Sequence, residues 1–420
     1  MKIATVRITP IAVSDSPLLN ASGVHEPYAL RSIIEVEADN GLVGLGETYG
    51  DKPVLDSLTR VKNSLTGLSP FDLTGLWQRV HAAGRSAVRG VELDVSPGSQ
   101  ASHADQKIFG AFEVAFLDLQ ARSLGIPVHE LLGGAVRRQV PFSAYLFFKF
   151  ASDIDPSYRP DAWGETLDET QLVTQARTMI DRYGFGSIKL KAGALDPEHE
   201  VACLKALKRA FPDHPLRIDP NANWSLDTAI RMAKQLQGDL EYYEDPTPGL
   251  EGMAELHKAT GLPLATNMVV TNLTEFRRNI ALNGVQIVLS DHHYWGGLRA
   301  TQTLAAMCDT FGLGLSMHSN SHLGISLMAM SHLAAAVPNL TYACDTHYPW
   351  QNEEVIKGGK VAITGGCVSV TDEPGLGVEL DQDALGALHE QYLRCGLVNR
   401  DDATQMRKLR PDWSLRRPRF

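Results

Sequence analysis

The sequence predicts an α/β protein in which a parallel eight-stranded barrel follows a smaller α+β domain. The chain has 420 residues, enough for two domains of ordinary size. Its first part contains an alternating apolar and polar pattern that is typical of antiparallel strands. From about residue 140, short apolar runs end in polar residues and are separated by helical stretches, the pattern of βα units on a parallel sheet.

The composition is that of a globular protein, with 44% hydrophobic and 21% charged residues. The formal net charge of −10 makes nucleic acid and anionic membrane surfaces unexpected as partners. Five separated cysteines without a Cys-x-x-Cys pair indicate neither a disulfide framework nor a cysteine zinc site. The start of the chain has no secretion signal, and no run of about 18 apolar residues follows, so we expect a cytoplasmic protein.

The first domain opens with a predicted β-hairpin. Residues 31–37 alternate apolar and polar side chains, and residues 42–47 form a second short run. Asn40-Gly41 lies between them and is a favoured two-residue hairpin turn. The sequence therefore predicts two antiparallel strands here.

Helices are predicted after the hairpin, over residues 54–85 and residues 108–124. Gly125 and a proline two residues later mark the end of the second helical stretch. Two polar segments containing proline, residues 95–104 and 151–165, are predicted as loops.

The strand ends of the second domain recur at a regular spacing. They fall near Tyr145, Lys191, Asp219, Glu244, Asn267, Asp291, His318 and His347. After a first step of 46 residues, the intervals are 28, 25, 23, 24, 27 and 29. Eight parallel strands close into a barrel, and barrel enzymes carry their chemistry at the carboxyl ends of those strands. A doubly wound open sheet is the alternative fold.

Two lysines lie on the first of the evenly spaced strands. The strand period of two sends Lys189 and Lys191 to the same side of Ile-Lys-Leu-Lys, into the barrel. Neighbouring ammonium groups lower the pKa of at least one of them, which suits a lysine base near neutral pH. A pair of solvated edge lysines is the alternative, because Lys-x-Lys alone is a weak signal.

The next three strands end in oxygen-bearing side chains. Asp219, Glu244 and Asn267 are brought to one rim of the barrel, where such ligands suit Mg²⁺ better than zinc. Helix N-caps or salt bridges are the alternative roles for the acids. The loop acid Glu251 is an alternative to Glu244 as a metal ligand.

Across the barrel, a carboxylate and an imidazole end neighbouring strands. Asp291 is placed to orient and charge His318, which would give a second acid or base facing the lysines. A satisfied buried histidine is the structural alternative. We expect His292, His293 and His322 to stand apart from the chemistry.

Taken in this order, these residues resemble the enolase superfamily, and within it the glucarate dehydratase subgroup. The segments ATNMVVT, MHSNSHLGIS, DTHYPWQ and GLVNRDDA are similar to that subgroup, as are NASGVHEP near the start and the Tyr-Leu-Phe at residues 145–147. The resemblance covers nearly the whole chain.

The resemblance implies a modified (β/α)7β barrel of the enolase type with an N-terminal α+β capping domain. The capping domain would comprise residues 1–135 and the barrel residues 136–375, with residues 376–420 completing the cap. It also implies a Mg²⁺ cofactor, a small acid-sugar substrate held between cap and barrel, and a homo-oligomer.

The resemblance further implies how the reaction proceeds. Lys191 would abstract the proton beside a substrate carboxylate with electrostatic help from Lys189, and His318, supported by Asp291, would protonate the departing β-hydroxyl. Dehydration of glucarate to a keto-deoxy acid is the first expectation. Galactarate, idarate or an aldonate are alternative substrates, and a site with two bases also permits epimerisation. The substrate-binding residues implied are His25, Tyr145, Phe147, Asn221, Asn320, His347 and Arg400, with His25 and Arg400 at the distal end.

Three segments depart from the subgroup and leave the substrate open: residues 95–105, the short loop after Glu244, and residues 291–298. Two other classes of function are considered. A Schiff-base aldolase would use Lys191 as its nucleophile, but the three metal-type ligands would then share no role. A non-catalytic binding protein would be expected to lack some of these residues, and all the principal positions are filled.

Overall fold

The structure, a computed structural model, describes residues 1–84 and 104–420. Within these residues, a parallel seven-stranded sheet and its helices follow an antiparallel three-stranded sheet. The predicted α/β fold class, a barrel with an N-terminal cap, is confirmed.

The N-terminal part combines a small sheet with a layer of helices. Its elements are β1 (Ile3–Ser14), β2 (Leu19–Asn20), β3 (Gly23–Val24), β4 (Tyr28–Ala38), β5 (Val43–Tyr49), α1 (Lys52–Lys62), α2 (Leu73–Gly84), α3 (Ala104–Leu124) and α4 (Val128–Leu131). The predicted hairpin is confirmed, because β4 and β5 pair antiparallel around the Asn40-Gly41 turn. Gly41 has a φ of 82°, which a glycine adopts without strain.

The helical stretch predicted over residues 54–85 is two helices, not one. The helical stretch is interrupted between α1 and α2, where Gly67 has a φ of 79° and Pro70 follows. Residue 85 and the loop predicted over residues 95–104 lie outside the described residues, except Ala104, which begins α3. Helix α3 packs closely on β5. A Cβ at Gly44 of β5 would lie only 2.1 Å from the carbonyl oxygen of Ala115 in α3, so glycine permits this close approach.

The second part carries the parallel strands and their helices. Its strands are β6 (Gln139–Pro141), β7 (Ala144–Phe147), β8 (Ile188–Lys191), β9 (Leu216–Asp219), β10 (Leu240–Glu244), β11 (Leu264–Thr266), β12 (Ile287–Ser290), β13 (Gly314–Met317) and β14 (Cys367–Ser369). Its helices are α5 (Glu169–Tyr183), α6 (Pro197–Ala210), α7 (Leu226–Gln235), α8 (Leu250–Thr260), α9 (Leu273–Leu282), α10 (His292–Trp295), α11 (Leu298–Phe311) and α12 (Gly324–Ala336). The order β7 to β13 runs without a reversal, which excludes the doubly wound alternative.

The predicted eighth strand is reduced to a single bridge, so the prediction of eight regular strands is wrong at this point. Cys344 bridges Phe142 next to β7, and the Asp345 amide donates to the Met317 carbonyl of β13, 2.9 Å away. This segment closes the ring, but its hydrogen bonds are divided between two neighbours. A short helical turn then begins at Tyr348.

The charged rim of the barrel lies above a mostly apolar layer, in which the buried Arg217 lies over the Tyr242 ring, 4.7 Å from its centroid. Tyr242 contributes to that layer together with Ala265, Ile287 and Leu289. Glu244 is two residues further along the same strand and therefore lies on the same inner side, one layer nearer the carboxyl end. The strand period thus delivers polar side chains to the upper rim, as predicted.

The C-terminal part runs back onto the N-terminal sheet through α13 (Gln382–Cys395) and α14 (Asp402–Leu409). Gln391 donates to the Ala12 carbonyl of β1 at 2.9 Å, and the Arg400 amide donates to the Asp51 carboxylate at 2.8 Å. The tail therefore contacts the cap, while the three residue ranges predicted for the domains remain a prediction. No helix among the described residues is long and apolar enough to cross a membrane.

Two buried imidazoles join α4 to α12. The Nε2 atom of His332 lies 3.2 Å from the Leu376 carbonyl and donates to it, so its Nδ1 accepts from Nδ1 of His129 at 3.0 Å. This arrangement requires a neutral His332. Burial, followed by repulsion from His129, lowers the pKa of His332 to about 4.

We expect acid to destabilise the fold partly through His332. Its folded-state pKa lies below the ordinary value of about 6.5, so the folded protein binds fewer protons between these values than the unfolded chain. The stabilising contribution is full above the ordinary pKa and is lost as the pH falls toward 4. When the pH falls from neutral to about 5, the unfolding free energy of the wild-type protein should drop by about 2 kcal/mol more than that of His332→Gln. Urea unfolding of both proteins at the two pH values measures this difference. An identical pH dependence in both proteins would contradict this.

Candidate active site

A cavity at the carboxyl ends of the strands lies beneath the cap and the C-terminal part. Its lining residues are Asn20, Ser22, His25, Tyr145, Phe147, Lys191, Asn221, His318, Asn320, His347 and Arg400. All seven residues predicted to bind substrate are in this lining. The structure therefore brings together residues that are up to 380 positions apart in the sequence.

Lys189 is enclosed by carboxylates at the base of the cavity. Its Nζ lies 2.6 Å from Asp345 Oδ2 and 2.6 Å from Glu244 Oε2. Burial alone would lower the pKa of Lys189, but the charges of Asp345 and Glu244 outweigh it and hold that pKa well above its ordinary value. Lys189 is therefore a fixed cation and is not the lysine whose pKa the pairing of like charges would lower.

Lys191 lies nearer the cavity on the same side of β8. Its Nζ donates to Asp219 Oδ2 and to Asn221 Oδ1, both at 2.6 Å. The same Asp219 oxygen is 3.7 Å from the Lys189 ammonium, so the two lysines converge as predicted. Asn221 holds a left-handed backbone with a φ of 54°, a strained conformation of the kind found at functional sites.

The three predicted metal ligands are buried at successive strand ends. Asn267 is 1% exposed, and neither its Oδ1 nor its Nδ2 has a hydrogen-bond partner in the described part of the chain. Burial and repulsion from Asp219 raise the pKa of Glu244 well above its ordinary value. A bound cation would satisfy the Asn267 oxygen and relieve the repulsion between the acids, so these residues fit a hard metal ion.

The alternative ligand Glu251 lies elsewhere. Its side chain is 63% exposed on α8 and forms an ion pair with Arg278. Asp245 instead supports the ligand set, because its Oδ2 accepts a hydrogen bond from the backbone N–H of Asn267 at 2.8 Å. The geometry thus favours Glu244 over Glu251.

The Asp291 and His318 side chains meet across the cavity from the lysines. His318 Nδ1 lies 3.1 Å from Asp291 Oδ2. Burial would raise the pKa of Asp291, but the contacts with His293 and His318 lower it well below its ordinary value. Asp291 is therefore ionised, Nδ1–H of His318 donates to it, and His318 Nε2 is left for the cavity.

His293, which was expected to stand apart from the chemistry, contacts the same carboxylate. Its Nδ1 lies 2.8 Å from Asp291 Oδ1, and its backbone amide also donates to that oxygen, because Asp291 caps the short helix α10. The carboxylate is thus held between two imidazoles. His292 and His322 are buried behind it, and neither lines the cavity.

On the cap side of the cavity, His25 and Arg400 each contact a carboxylate. His25 Nδ1 lies 2.9 Å from Asp15 Oδ2. Arg400 donates to Asp402 from both Nε and Nη2, each at 2.8 Å. These carboxylates fix the orientation of the two residues predicted for the distal end of the substrate.

Aromatic rings form one wall of the cavity. The Tyr145 ring centroid lies 4.7 Å from those of both Phe147 and His347. Burial, with smaller repulsion from His25, lowers the pKa of His347 well below its ordinary value, so His347 is neutral.

Sequence reasoning missed several residues of the site. Asp345, the main partner of Lys189, follows the Cys344 bridge that replaces the predicted eighth strand, whose end was predicted near His347. Asn20 and Ser22 lie within the segment that resembles the subgroup, so that signal could have identified them. Asp402 also lies within a segment that resembles the subgroup, GLVNRDDA, whereas Asp15 lies outside all of these segments.

Two family descriptions match the chain. Residues 171–384 match the enolase C-terminal domain-like family, and residues 3–133 match the N-terminal domain family of mandelate racemase and muconate lactonizing enzyme.

Individual relatives match over nearly the whole length. The chain is 49% identical to the probable glucarate dehydratase of Streptomyces coelicolor, over 98% of this chain and 97% of that protein. An enolase from Pseudomonas fluorescens, solved with bound magnesium, potassium and tartrate, is 66% identical with a TM-score of 0.97, and the match covers 100% and 99% of the two chains. An enolase from Mycobacterium smegmatis complexed with tartrate is 52% identical with a TM-score of 0.94, covering 100% of this chain and 98% of that chain.

Proposed function

The chain belongs to the enolase superfamily, and we propose that it is a Mg²⁺-dependent dehydratase of an aldaric acid, with glucarate as the first substrate to test. One observation carries the proposal: a lysine pair and an Asp–His pair face each other across a cavity, above three buried oxygen ligands. The 49% identity to a probable glucarate dehydratase supports the reaction and substrate class. Tartrate, bound by two of the related structures, is itself a dicarboxylic hydroxy acid.

Asp219, Glu244 and Asn267 would hold the metal ion. Two carboxylates and an amide oxygen are hard ligands that suit Mg²⁺. When bound, the ion would supply positive charge next to the substrate carboxylate as negative charge builds up there. The related structure from Pseudomonas fluorescens contains magnesium.

Lys191 would remove the proton from the carbon next to that carboxylate. It lies beside Asp219 and opens onto the cavity, so the metal ligand and the base are adjacent. Lys189 is held by Glu244 and Asp345 as a permanent ammonium ion. It would stabilise the negative charge that develops on the substrate without exchanging its own proton.

His318 would donate a proton to the leaving hydroxyl group. Because its Nδ1–H donates to Asp291, the proton for transfer is carried on Nε2. The electron pair of the broken C–H bond forms a carbon–carbon double bond as the C–O bond breaks, and the hydroxyl leaves as water. The resulting enol becomes a keto-deoxy acid. The same two groups on opposite sides would also support epimerisation as a side activity.

The distal end of the substrate would lie toward the cap, near His25 and Arg400. The carbon chain would pack against the rings of Tyr145, Phe147 and His347. Its hydroxyl groups would form hydrogen bonds with Asn221 and Asn320. A cytoplasmic location and a homo-oligomeric state remain predictions. Light scattering after size-exclusion chromatography would test the oligomeric state.

Replacing Glu244 by Gln should weaken Mg²⁺ binding at least 10-fold, because one charged oxygen ligand is lost. Isothermal titration of the protein with MgCl₂ measures this directly. Glu251→Gln is the matched control, since that acid is exposed and paired with Arg278. Unchanged Mg²⁺ affinity in Glu244→Gln, or an equal loss of affinity in Glu251→Gln, would contradict the assignment of Glu244 as a metal ligand.

The proposed reaction is tested by keto-acid formation from a panel of aldaric and aldonic acids. We expect turnover with Mg²⁺, loss of turnover with EDTA, and recovery when Mg²⁺ is restored. Turnover of galactarate, idarate or an aldonate in place of glucarate would support the proposed dehydration and contradict glucarate as its substrate. Borohydride trapping of a carbonyl substrate on Lys191 would instead favour the aldolase, and metal binding without turnover of any acid would favour a binding protein.

A further inference from the structure

A second cavity adjoins the candidate active site on the side of the cap. Its polar lining includes Arg31, Tyr49, Asp51, Lys107, Asn320 and Arg400. Asn320 and Arg400 also line the active-site cavity, so the two spaces share a wall at the end expected to hold the distal part of the substrate.

The arginines of the second cavity already have partners. Arg31 Nη2 lies 2.7 Å from Glu47 Oε1, and Arg400 donates twice to Asp402. The Arg31–Glu47 pair is buried and the Arg400–Asp402 pair is partly buried, so both guanidinium groups are held in place and largely neutralised. The pair with Asp402 uses only the Nε and Nη2 edge of Arg400, so this guanidinium keeps donors on Nη1 but carries a charge that is already balanced.

Lys107 differs from both arginines. It is 6% exposed on α3, and within residues 1–84 and 104–420 it has no hydrogen-bond or ion-pair partner. Its Nζ lies over the Tyr49 ring, 5.7 Å from the ring centroid. A buried ammonium without a direct counter-ion destabilises the fold, so its presence beside a cavity requires a reason.

The charge of Lys107 is retained near neutral pH. Burial lowers its pKa to about 8, while the more distant charges of Asp291 and Asp51 raise it. A cationic group without a hydrogen-bond partner, facing a cavity, matches the chemistry of a carboxylate or another small anion.

We propose that Lys107 binds the second carboxylate of the substrate and so selects dicarboxylic over monocarboxylic sugar acids. This inference rests on the proposed function, because it takes the first carboxylate to lie at the metal ligands. The carbon chain would pass Asn320 and Arg400, which are common to both cavities, and end at the Lys107 ammonium. Lys107 is thus a residue that sets specificity, not one that takes part in proton transfer.

Paired acids that differ only at the distal carbon give the test. Glucarate and gluconate differ there by a carboxylate and a hydroxymethyl group. Their binding to Mg²⁺-loaded protein is measured by isothermal titration in a Lys191→Met background, which prevents turnover. Adding Lys107→Met should weaken glucarate binding about 10- to 100-fold, the effect of losing one charged hydrogen bond. Gluconate binding should change less than about 3-fold, and Lys107→Arg should retain most of the preference for glucarate.

A stability measurement separates this role from a structural one. Met fills a similar volume without a buried charge, so the thermal midpoint of Lys107→Met should equal or exceed that of the parent protein. Equal weakening of both acids, or a clear fall in the thermal midpoint, would overturn the proposal and make Lys107 a counter-ion for Asp51 and Asp291. Absence of turnover of every acid by the wild-type protein would overturn the proposed function and this inference with it.

Discussion

Replacing Lys191 by Met should lower the rate of keto-acid formation by about 10²- to 10⁴-fold, the usual contribution of a positioned general base. Lys191 is the lysine that opens onto the cavity, whereas Lys189 is enclosed by Glu244 and Asp345. Methionine removes the titrating group and keeps most of the side-chain volume. The rate is measured with saturating Mg²⁺ and glucarate, or with whichever acid of the panel is turned over.

Mg²⁺ affinity distinguishes lost chemistry from a damaged site. Lys191 donates to Asp219, so its removal takes a competing cation away from a metal ligand and should not weaken Mg²⁺ binding. Lys234→Met, on the exposed face of α7, is the control for a general effect of losing a lysine. Activity within a few fold of wild type in Lys191→Met would exclude Lys191 as the base.

Replacing His318 by Asn should abolish elimination but leave exchange of the proton beside the carboxylate. His318 would protonate the leaving hydroxyl, and loss of a general acid lowers the rate by about 10²- to 10⁴-fold. Lys191 remains in this variant, so incubation in D₂O should still replace the carbon-bound proton of the substrate with deuterium. NMR spectroscopy of the recovered acid measures the exchange, and a keto-acid assay measures the elimination.

Two results would contradict this division of roles. Unchanged elimination in His318→Asn would mean that another group protonates the leaving hydroxyl. Loss of both elimination and exchange, with Mg²⁺ binding intact, would make His318 the base. His214→Asn, whose ring packs on Phe211 away from the cavity, is the matched control.

Sequence periodicity predicted the barrel side of the site well for a physical reason. The alternation of a strand fixes which side chains enter the barrel, and parallel strands bring their carboxyl ends to one edge. Lys189, Lys191 and Asp219 therefore follow from pattern alone. The electrostatics do not follow, because the pKa of Lys189 depends on Asp345, which is 156 positions away in the chain.

The residues that were missed or misjudged depend on tertiary packing or on irregular backbone. Asp345 follows a single bridge that carries too little strand pattern to locate its end. His293 reaches Asp291 only because the chain turns into a helix of four residues at that point. Lys107 lies on a helix of the cap, and nothing in its local sequence shows that it is buried next to the barrel.

The cap side was predicted by resemblance, not by periodicity. His25 and Arg400 are separated by 375 positions, and both line the same cavity. Their contacts with Asp15 and Asp402 were not predicted, although these carboxylates set how each side chain is held.

The most direct test of the account is the reaction of glucarate with the Mg²⁺-loaded wild-type protein in D₂O, followed by mass spectrometry and NMR. We predict a product that has lost one molecule of water, contains a ketone, and carries one solvent deuterium on the carbon from which the hydroxyl departed. Recovery of glucarate with neither dehydration nor deuterium at the carbon beside a carboxylate would contradict glucarate as the substrate. The same outcome across the whole panel of acids would contradict the dehydratase.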